Sequence, residues 1–119
     1  MSNKGNILLV KPNYKPTWQF PGGGVEADEE PLEGLLRELH EELNLDLDRS
    51  KFEIVGTVFR PEHDNLFLIY AYQERFDETS ELQLQEDELE GYKFVPSEEV
   101  LPLISKYYGD FWHKFLKAK

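Results

Sequence analysis

The sequence predicts an α/β fold in which a mixed β-sheet carries helices on its faces. Two patterns support this prediction: one segment repeats leucine at helical spacing, and several short runs are rich in β-branched and aromatic residues. Their order along the chain is β-β-α-β-β-β-α, which is typical of a sheet with packed helices. A chain of 119 residues is expected to form a single domain over 1–119.

Two short strands are predicted before the first helix. Asn6–Val10 is an apolar run, and Pro12 and Pro16 then interrupt the chain as a loop. Thr17–Phe20 is a second, shorter β-prone run. The segment Pro21–Gly24 that follows places glycines where ordinary side chains would restrict the backbone.

A helix is predicted from Pro31 to Leu43. Its leucines recur at i, i+3, i+4, i+7 and i+11, which places them on one face: Leu32, Leu35, Leu36, Leu39 and Leu43. Pro31 suits the first helical position, and Glu30 is then the N-cap. Asn44 is the expected end of the helix because Asn tolerates the left-handed conformation well.

The second half of the chain predicts a long antiparallel hairpin over Phe52–Arg60 and Leu66–Phe76. Both faces of the second run are apolar, so this strand is expected to be central and covered on both sides. The remaining elements are an acidic loop over Asp77–Glu90, a strand over Gly91–Val95, a short helix from Pro96 to Leu101 with Ser97 as N-cap, and a final helix over Tyr108–Leu116.

Composition excludes several classes of function. Lys and Arg number 13 and Asp and Glu number 24, so the formal net charge is −11, and no basic face for nucleic acid polymers or anionic membranes is expected. The absence of cysteine excludes disulfides, thiolate metal sites and a cysteine nucleophile. No apolar run reaches the roughly 18 residues of a membrane span, and the N-terminus does not resemble a signal peptide. A cytoplasmic domain is therefore expected.

The acidic residues are concentrated in two segments. Residues 26–48 contain ten acids and one base, and residues 77–90 contain seven acids and no base. Such clusters are usually solvated surface, but they can also bind hard divalent cations. At 100° per residue, Glu38, Glu41 and Glu42 share an arc of about 100° directly beside the leucine face. Like charges at this spacing repel, and a solvated face should lie opposite the core, so the arc favours a metal site.

The segment from Gly23 to Leu45 resembles the sequence box of the Nudix (MutT-like) hydrolase family. That box is Gly-x5-Glu-x7-Arg-Glu-U-x-Glu-Glu-x-Gly-U, where U is a bulky aliphatic residue, and the match fails only at the last Gly, which is Asn44 here. The preceding run Trp18–Gly23 also looks like the family, and the resemblance extends loosely over about Asn6 to Val100. It implies the Nudix α/β/α sandwich, with the usual first strand missing.

The resemblance implies roles for the residues of the box. Glu41 and Glu42 would ligate Mg²⁺ or Mn²⁺, and Glu38 would be a further ligand or the general base that deprotonates the attacking water. Arg37 would orient these carboxylates, and Glu29 would support the metal site. The implied catalytic set is therefore Glu38, Arg37 and Glu41.

Residues outside the helix complete the predicted site. Glu26 is a further candidate ligand, and Glu88 is the preferred ligand from the acidic loop, ahead of Glu86, Asp87 and Glu90. Gly22 and Gly23 would let the loop approach metal and phosphate. Candidate substrate contacts are Lys11, Lys15 and Arg60 for phosphate and Trp18, Tyr14 and Phe59 for a stacked base, with a surface or core position as the alternative for each.

The implied function is metal-dependent hydrolysis of a nucleoside diphosphate linked to another moiety, with a small nucleotide as the substrate. Nucleoside triphosphates and ADP-sugars both remain open; Pro61, 16 residues beyond Leu45, matches a spacing typical of ADP-sugar hydrolases in the family. A diphosphate isomerase is disfavoured by the short chain without cysteine. A catalytically weak module that binds nucleotides as a sensor or regulator is disfavoured because every box carboxylate is present.

The N-terminal segment predicts self-association. Members of the family usually begin with an extra strand before the one at Asn6–Val10, but only five residues precede that run here. An unpaired sheet edge invites pairing with another chain. A homodimer is therefore predicted, with a monomer whose gap is closed by nearby side chains as the alternative.

Overall fold

The computed structural model describes residues 5–22, 28–60, 65–75, 77, 82–85 and 87–117. The helices and strands in this part of the chain are β1 (Ile7–Pro12), α1 (Pro31–Leu43), β2 (Phe52–Arg60), β3 (Asn65–Tyr72), β4 (Leu89–Val95) and α2 (Gly109–Lys117). Short 3₁₀ turns lie at Arg49–Lys51, Ser97–Glu99 and Lys106–Tyr108. The predicted α/β class is confirmed.

Two antiparallel strand pairs, β1 with β4 and β2 with β3, form the two sheets of the described chain. The segment predicted as a strand over Thr17–Phe20 forms two isolated bridges instead. Gln19 pairs antiparallel with Val10, and Trp18 pairs parallel with Ile104. The mixed character expected of the sheet arises from this parallel bridge.

The β1–β4 pair lies between the two helices. Successive side chains of a strand point to opposite faces, so Leu8 and Val10 pack on one side and Leu9 on the other. The first side carries Leu39 and Leu43 of α1, and the second carries Trp112 of α2. This alternation produces the helix–sheet–helix sandwich that the resemblance implies.

The boundaries of α1 agree with the prediction. Pro31 occupies the first turn, and Glu30 takes the N-cap position without a side-chain hydrogen bond. Asn44 adopts the left-handed conformation, with φ 54° and ψ 39°, and its N–H donates to the carbonyl oxygen of His40 at 2.9 Å. The Asn in place of the last box glycine therefore ends the helix as expected.

Strand β1 extends two residues beyond the predicted end. Its pairing with β4 continues to Pro12, and the register shifts between Lys11 and Pro12. Proline has no N–H to donate to the ladder, so a strand tolerates it at an irregularity such as this one. Strand β4 likewise begins at Leu89, ahead of the predicted Gly91.

The prediction that the second hairpin strand is central and covered on both sides is wrong. Within the described residues β3 pairs with β2 alone, and it ends at Tyr72. Leu68 on β3 is 36% exposed, and Ile54 and Phe59 on β2 are each 54% exposed. The polarity of the side chains on β3 does not show how many strands lie beside it. Its two apolar faces therefore led to the prediction of a more buried strand than the structure has.

The C-terminal elements differ slightly from the prediction. The short helix is a 3₁₀ turn over Ser97–Glu99 whose N-cap position is Pro96, so Ser97 is not the N-cap. The Ser97 carbonyl instead accepts a hydrogen bond from the indole N–H of Trp112 at 3.3 Å, which ties this turn to α2. In the described part of the chain, no helix has the length and apolar character needed to cross a membrane.

Candidate active site

The carboxylates of α1 lie along the border of the core. The side chains of Leu39 and Leu43 are buried, and Glu42 beside them is only 6% exposed. Glu38 is 14% exposed at its side chain, whereas Glu41 is 48% exposed. The helix therefore presents its acids in a series from buried to open.

Arg37 holds three carboxylates with one guanidinium group. Its Nε and Nη2 donate to the two oxygens of Glu29 at 2.8 and 3.1 Å, a bidentate pair. Its Nη1 donates to Glu38 Oε1 at 3.0 Å and to Glu41 Oε2 at 3.1 Å. One positive charge thereby reduces the repulsion among neighbouring acids and sets the orientation of their side chains.

Glu88 joins two acids of α1 in a compact cluster. One carboxylate oxygen from each of Glu38, Glu42 and Glu88 lies within 4.8 Å of the others. Glu88 reaches this position because its loop is tied to the end of α1. The N–H groups of Gln83 and Gln85 donate to the carbonyl oxygens of Leu43 and Glu42 at 3.0 and 2.9 Å. These bonds use carbonyls that the last turn of a helix leaves free.

Glu42 is the most perturbed member of the cluster. Burial, a hydrogen bond with Glu38 and the negative charges of Glu38, Glu88 and Glu41 raise the pKa of Glu42 to about 8. Its Oε2 is buried and has no hydrogen-bond partner among the described residues. A hard divalent cation with oxygen ligands would both satisfy this oxygen and offset the repulsion, so the residues present fit Mg²⁺ or Mn²⁺.

A cavity of about 1070 Å³ opens beside the cluster. Glu38, Glu42 and Glu88 line it together with Tyr14 and Lys15 from the loop after β1. Residues 67–75, from β3 and the chain after it, form much of another wall. The acids thus face a space that is large enough for a nucleotide and contains aromatic surface.

Other predicted site residues are distributed differently. Glu41 hydrogen-bonds to Arg37 and lies outside the cluster of three acids. Gly22 has a φ of +144°, and a Cβ there would lie 3.4 Å from Leu35 Cδ1, so glycine suits this position. Gly23, Glu26, Pro61 and the side chain of Arg60 lie outside the described residues.

The remaining substrate candidates are apart from the acids. Lys11 forms an ion pair with Glu90 at 2.8 Å. Trp18 packs against the core cluster that contains Trp112, with Lys93 Nζ 4.4 Å from its ring centroid. Phe59 lines a second cavity, of about 820 Å³, between β2 and α2. The structure therefore brings Lys15, but not Lys11 or Trp18, to the lining of the cavity that holds the acids.

The anchoring of the acidic loop was missed by the sequence analysis, which described 77–90 only as a polar, acidic loop with Glu88 as its preferred ligand. Leu82 and Leu84 pack against the core cluster around Leu39 and Leu43. Their alternation with Gln83 and Gln85 is a strand-like pattern that indicates one buried face, so the sequence contained a usable signal.

The profile of the NUDIX domain matches residues 1–115 of the chain. The chain belongs to the NUDIX family. Among curated relatives, the RNA pyrophosphohydrolase of a Marinomonas species is 43% identical over 56 residues, which cover 47% of this chain and 34% of that protein. The RNA pyrophosphohydrolase of a Nitratiruptor species is 28% identical over 129 aligned positions, which cover 93% of this chain and 79% of that protein.

Solved structures of NUDIX proteins share the fold. The MutT protein of Methanosarcina mazei Go1 superimposes with a TM-score of 0.77 at 25% identity, covering 98% of this chain and 87% of that one. The Ap4A hydrolase of C. elegans, in a binary complex, gives a TM-score of 0.72 at 22% identity, covering 94% and 85%. The chain spans about a third or less of the length of the first curated relatives that it matches.

Proposed function

We propose that this NUDIX domain is a divalent-metal-dependent pyrophosphohydrolase. Its reaction is hydrolysis of a phosphoanhydride in a nucleoside diphosphate linked to another moiety. The observation that carries the proposal is the cluster of Glu38, Glu42 and Glu88, whose buried Glu42 oxygen lacks a partner among the described residues and which borders the large cavity. The relatives named RNA pyrophosphohydrolase and Ap4A hydrolase are consistent with this class of reaction.

The residues divide into ligands, base and support. Glu38, Glu42 and Glu88 would hold the cation, with Glu41 and Glu26 as further ligands. Bound there, Mg²⁺ or Mn²⁺ supplies charge neutralisation on phosphate oxygens and a lower pKa for the attacking water. Glu38 is the candidate general base because it borders the cavity and its side chain is largely buried, which keeps its carboxylate in a defined place.

Support for these carboxylates comes from two directions. Arg37 fixes Glu38 and Glu41 through Nη1, while its bidentate pair with Glu29 fixes Arg37 itself. The glycines Gly22 and Gly23 would keep the approach to phosphate clear of side chains. Lys15 would contact a substrate phosphate, and Lys11, Trp18 and Arg60 are weaker candidates for substrate contact.

The test is turnover of a nucleotide panel with and without Mg²⁺. The panel contains nucleoside triphosphates, an ADP-sugar and a dinucleoside polyphosphate. Phosphate release is measured with a coupled pyrophosphatase for the triphosphates, and with a coupled alkaline phosphatase for the other two substrates, whose products are phosphate esters. We expect Glu42→Gln and Glu38→Gln each to lower the rate by at least about a hundredfold. Glu33→Gln is the matched control on the opposite side of α1, where Glu33 is 46% exposed.

Two outcomes would overturn the proposal. Full turnover in excess chelator excludes a metal-dependent reaction, and equal losses in all three variants exclude a specific acid site. Nucleotide binding without turnover of any substrate would instead identify the sensor or regulator that the sequence left as the alternative.

We also propose that the domain self-associates as a homodimer in the cytoplasm. Ile54 and Phe59 on β2 and Leu68 on β3 leave apolar surface on one hairpin, and a second copy of the chain would cover it. Light scattering at tens of micromolar is expected to give twice the mass of the 14.0 kDa chain. A uniform monomer would reject the dimer and would not affect the proposed reaction.

A further inference from the structure

Among the exposed large hydrophobic residues in the described part of the chain, Tyr14 has the highest exposure, at 73%. A single exposed aromatic residue is ordinary on a protein surface. Tyr14, however, lines the same cavity as Glu38, Glu42 and Glu88. An open aromatic ring therefore shares one space with the three acids of the metal cluster.

The backbone fixes the place of Tyr14 relative to those acids. The N–H of Asn13 donates to the carbonyl oxygen of Glu88 at 2.9 Å, and the N–H of Lys15 donates to the carbonyl oxygen of Pro12 at 3.4 Å. Tyr14 is thus one of the two central residues of a turn whose other central residue, Asn13, is bonded directly to Glu88 of the cluster. These bonds fix the backbone of the turn, so ligand binding needs to order only the Tyr14 side chain and not the loop.

Lys15 adds a positive charge at the same point. Its Nζ lies 5.5 Å from the centroid of the Tyr14 ring, and Lys15 also lines the cavity. The neighbouring Lys11 is engaged with Glu90. The ammonium lies over one face of the ring. The opposite face and the ammonium together suit a ligand that joins a planar ring to a phosphate.

We propose that Tyr14 and Lys15 form the nucleoside subsite of this domain, where the Tyr14 ring stacks on the base and Lys15 binds the phosphate attached to that nucleoside. The inference rests on the proposed function, because it extends the reaction site to the part of the substrate that does not react. It assigns recognition of the base to stacking, so the subsite accepts any of the common bases with similar strength.

Binding of nucleotide fragments tests the subsite separately from turnover. Isothermal titration is carried out with AMP and with ribose 5-phosphate, which has the same sugar phosphate and no base. We expect Tyr14→Ala to weaken AMP binding by about tenfold, within the range for one base–aromatic stack, and to leave ribose 5-phosphate unchanged. Tyr14→Phe should retain AMP binding, and Lys15→Gln should weaken both ligands.

The chain contains a matched control for this experiment. Lys106 Nζ lies 5.5 Å from the ring centroid of Tyr107, the same arrangement as Lys15 and Tyr14. Tyr107 lines the second cavity, between β2 and α2, and not the one with the acids. Tyr107→Ala should therefore bind AMP as the wild type does. Circular dichroism and thermal unfolding confirm that each variant is folded.

Three results would overturn the subsite. The first is that the wild type and Tyr14→Ala bind AMP equally. The second is that Tyr14→Ala loses as much affinity for ribose 5-phosphate as for AMP. The third is that the wild type does not bind AMP at millimolar concentration. Failure of the proposed function is a different result, namely absence of turnover in the nucleotide panel. A wild type that binds AMP through Tyr14 but hydrolyses no substrate would keep the subsite and reject the enzyme.

Discussion

At the scale of single residues, position on α1 decides how each acid behaves. Measured from Glu38, the helical geometry places Glu42 about 40° towards the leucine face and Glu41 about 60° away from it. The exposed fractions follow this order, with Glu42 at 6%, Glu38 at 14% and Glu41 at 48%. The helical angles therefore agree with the order in which the three acids are buried. They do not show that Arg37 is fixed by Glu29, because Glu29 lies before the helix.

The raised pKa of Glu42 predicts how stability depends on pH without metal. Its pKa is about 8 in the folded chain and near 4.5 when unfolded, so the folded state binds the proton more strongly. The contribution of Glu42 to the free energy of unfolding is therefore greatest below about pH 4.5, and it falls as the pH rises towards 8. Urea unfolding in EDTA between pH 5 and 8.5 measures this.

Glu42→Gln is the variant that isolates this effect. Glutamine stays neutral, so the decline of stability between pH 5 and 8 should become shallower in the variant. Glu33→Gln should show the wild-type slope, because Glu33 is 46% exposed and distant from the arc. A wild-type slope in Glu42→Gln would mean that other groups cause the pH dependence.

At the scale of elements, the structure is most predictable where residues close together in the sequence decide the conformation. The helix α1 has the predicted bounds because its leucine period, Pro31 and Asn44 all act locally. The position of the β2–β3 hairpin in the sequence was predicted correctly. The prediction that β3 is central and covered on both sides was wrong, since the partners of β3 are set by distant parts of the chain. The loop that carries Glu88 depends on backbone bonds from Gln83 and Gln85 to α1. The alternation of leucine and glutamine over 82–85 indicates a buried face there, but it does not identify α1 as the partner.

The loop that leads towards α1 should be sensitive at Gly22. With φ at +144°, an alanine there would be strained even where space is available. We expect Gly22→Ala to lower the free energy of unfolding by about 1–3 kcal/mol, measured by urea unfolding. Gly91→Ala is the control, because Gly91 has a φ outside the left-handed range and nothing within 4 Å of the added Cβ. Similar losses in the two variants would contradict the strain at Gly22.

At the scale of the whole molecule, the two layers of core leave the site on one side of the β1–β4 pair. Leu8, Val10, Leu39 and Leu43 form the layer beneath α1, and Glu42 extends from the edge of that layer into the cavity. The same packing that stabilises the fold therefore desolvates the acid. A net charge of −11 adds to the repulsion that the folded chain must overcome. Cation binding should consequently affect global stability as well as activity.

Millimolar Mg²⁺ should raise the melting temperature of the whole domain. A ligand present at 100 times its Kd stabilises by about 2.7 kcal/mol, which for a chain of this size is a shift on the order of 10 °C. The shift should grow from pH 6 to pH 8.5, because a proton on Glu42 competes with the cation for the same carboxylate. Differential scanning calorimetry with Mg²⁺, Mn²⁺ and K⁺ at matched ionic strength separates specific binding from screening. Glu42→Gln and Glu88→Gln should lose most of the Mg²⁺ shift, while Glu33→Gln should keep it. An unchanged melting temperature in Mg²⁺ and Mn²⁺ at pH 8.5 would show that the three acids repel one another in the folded chain without forming a cation site.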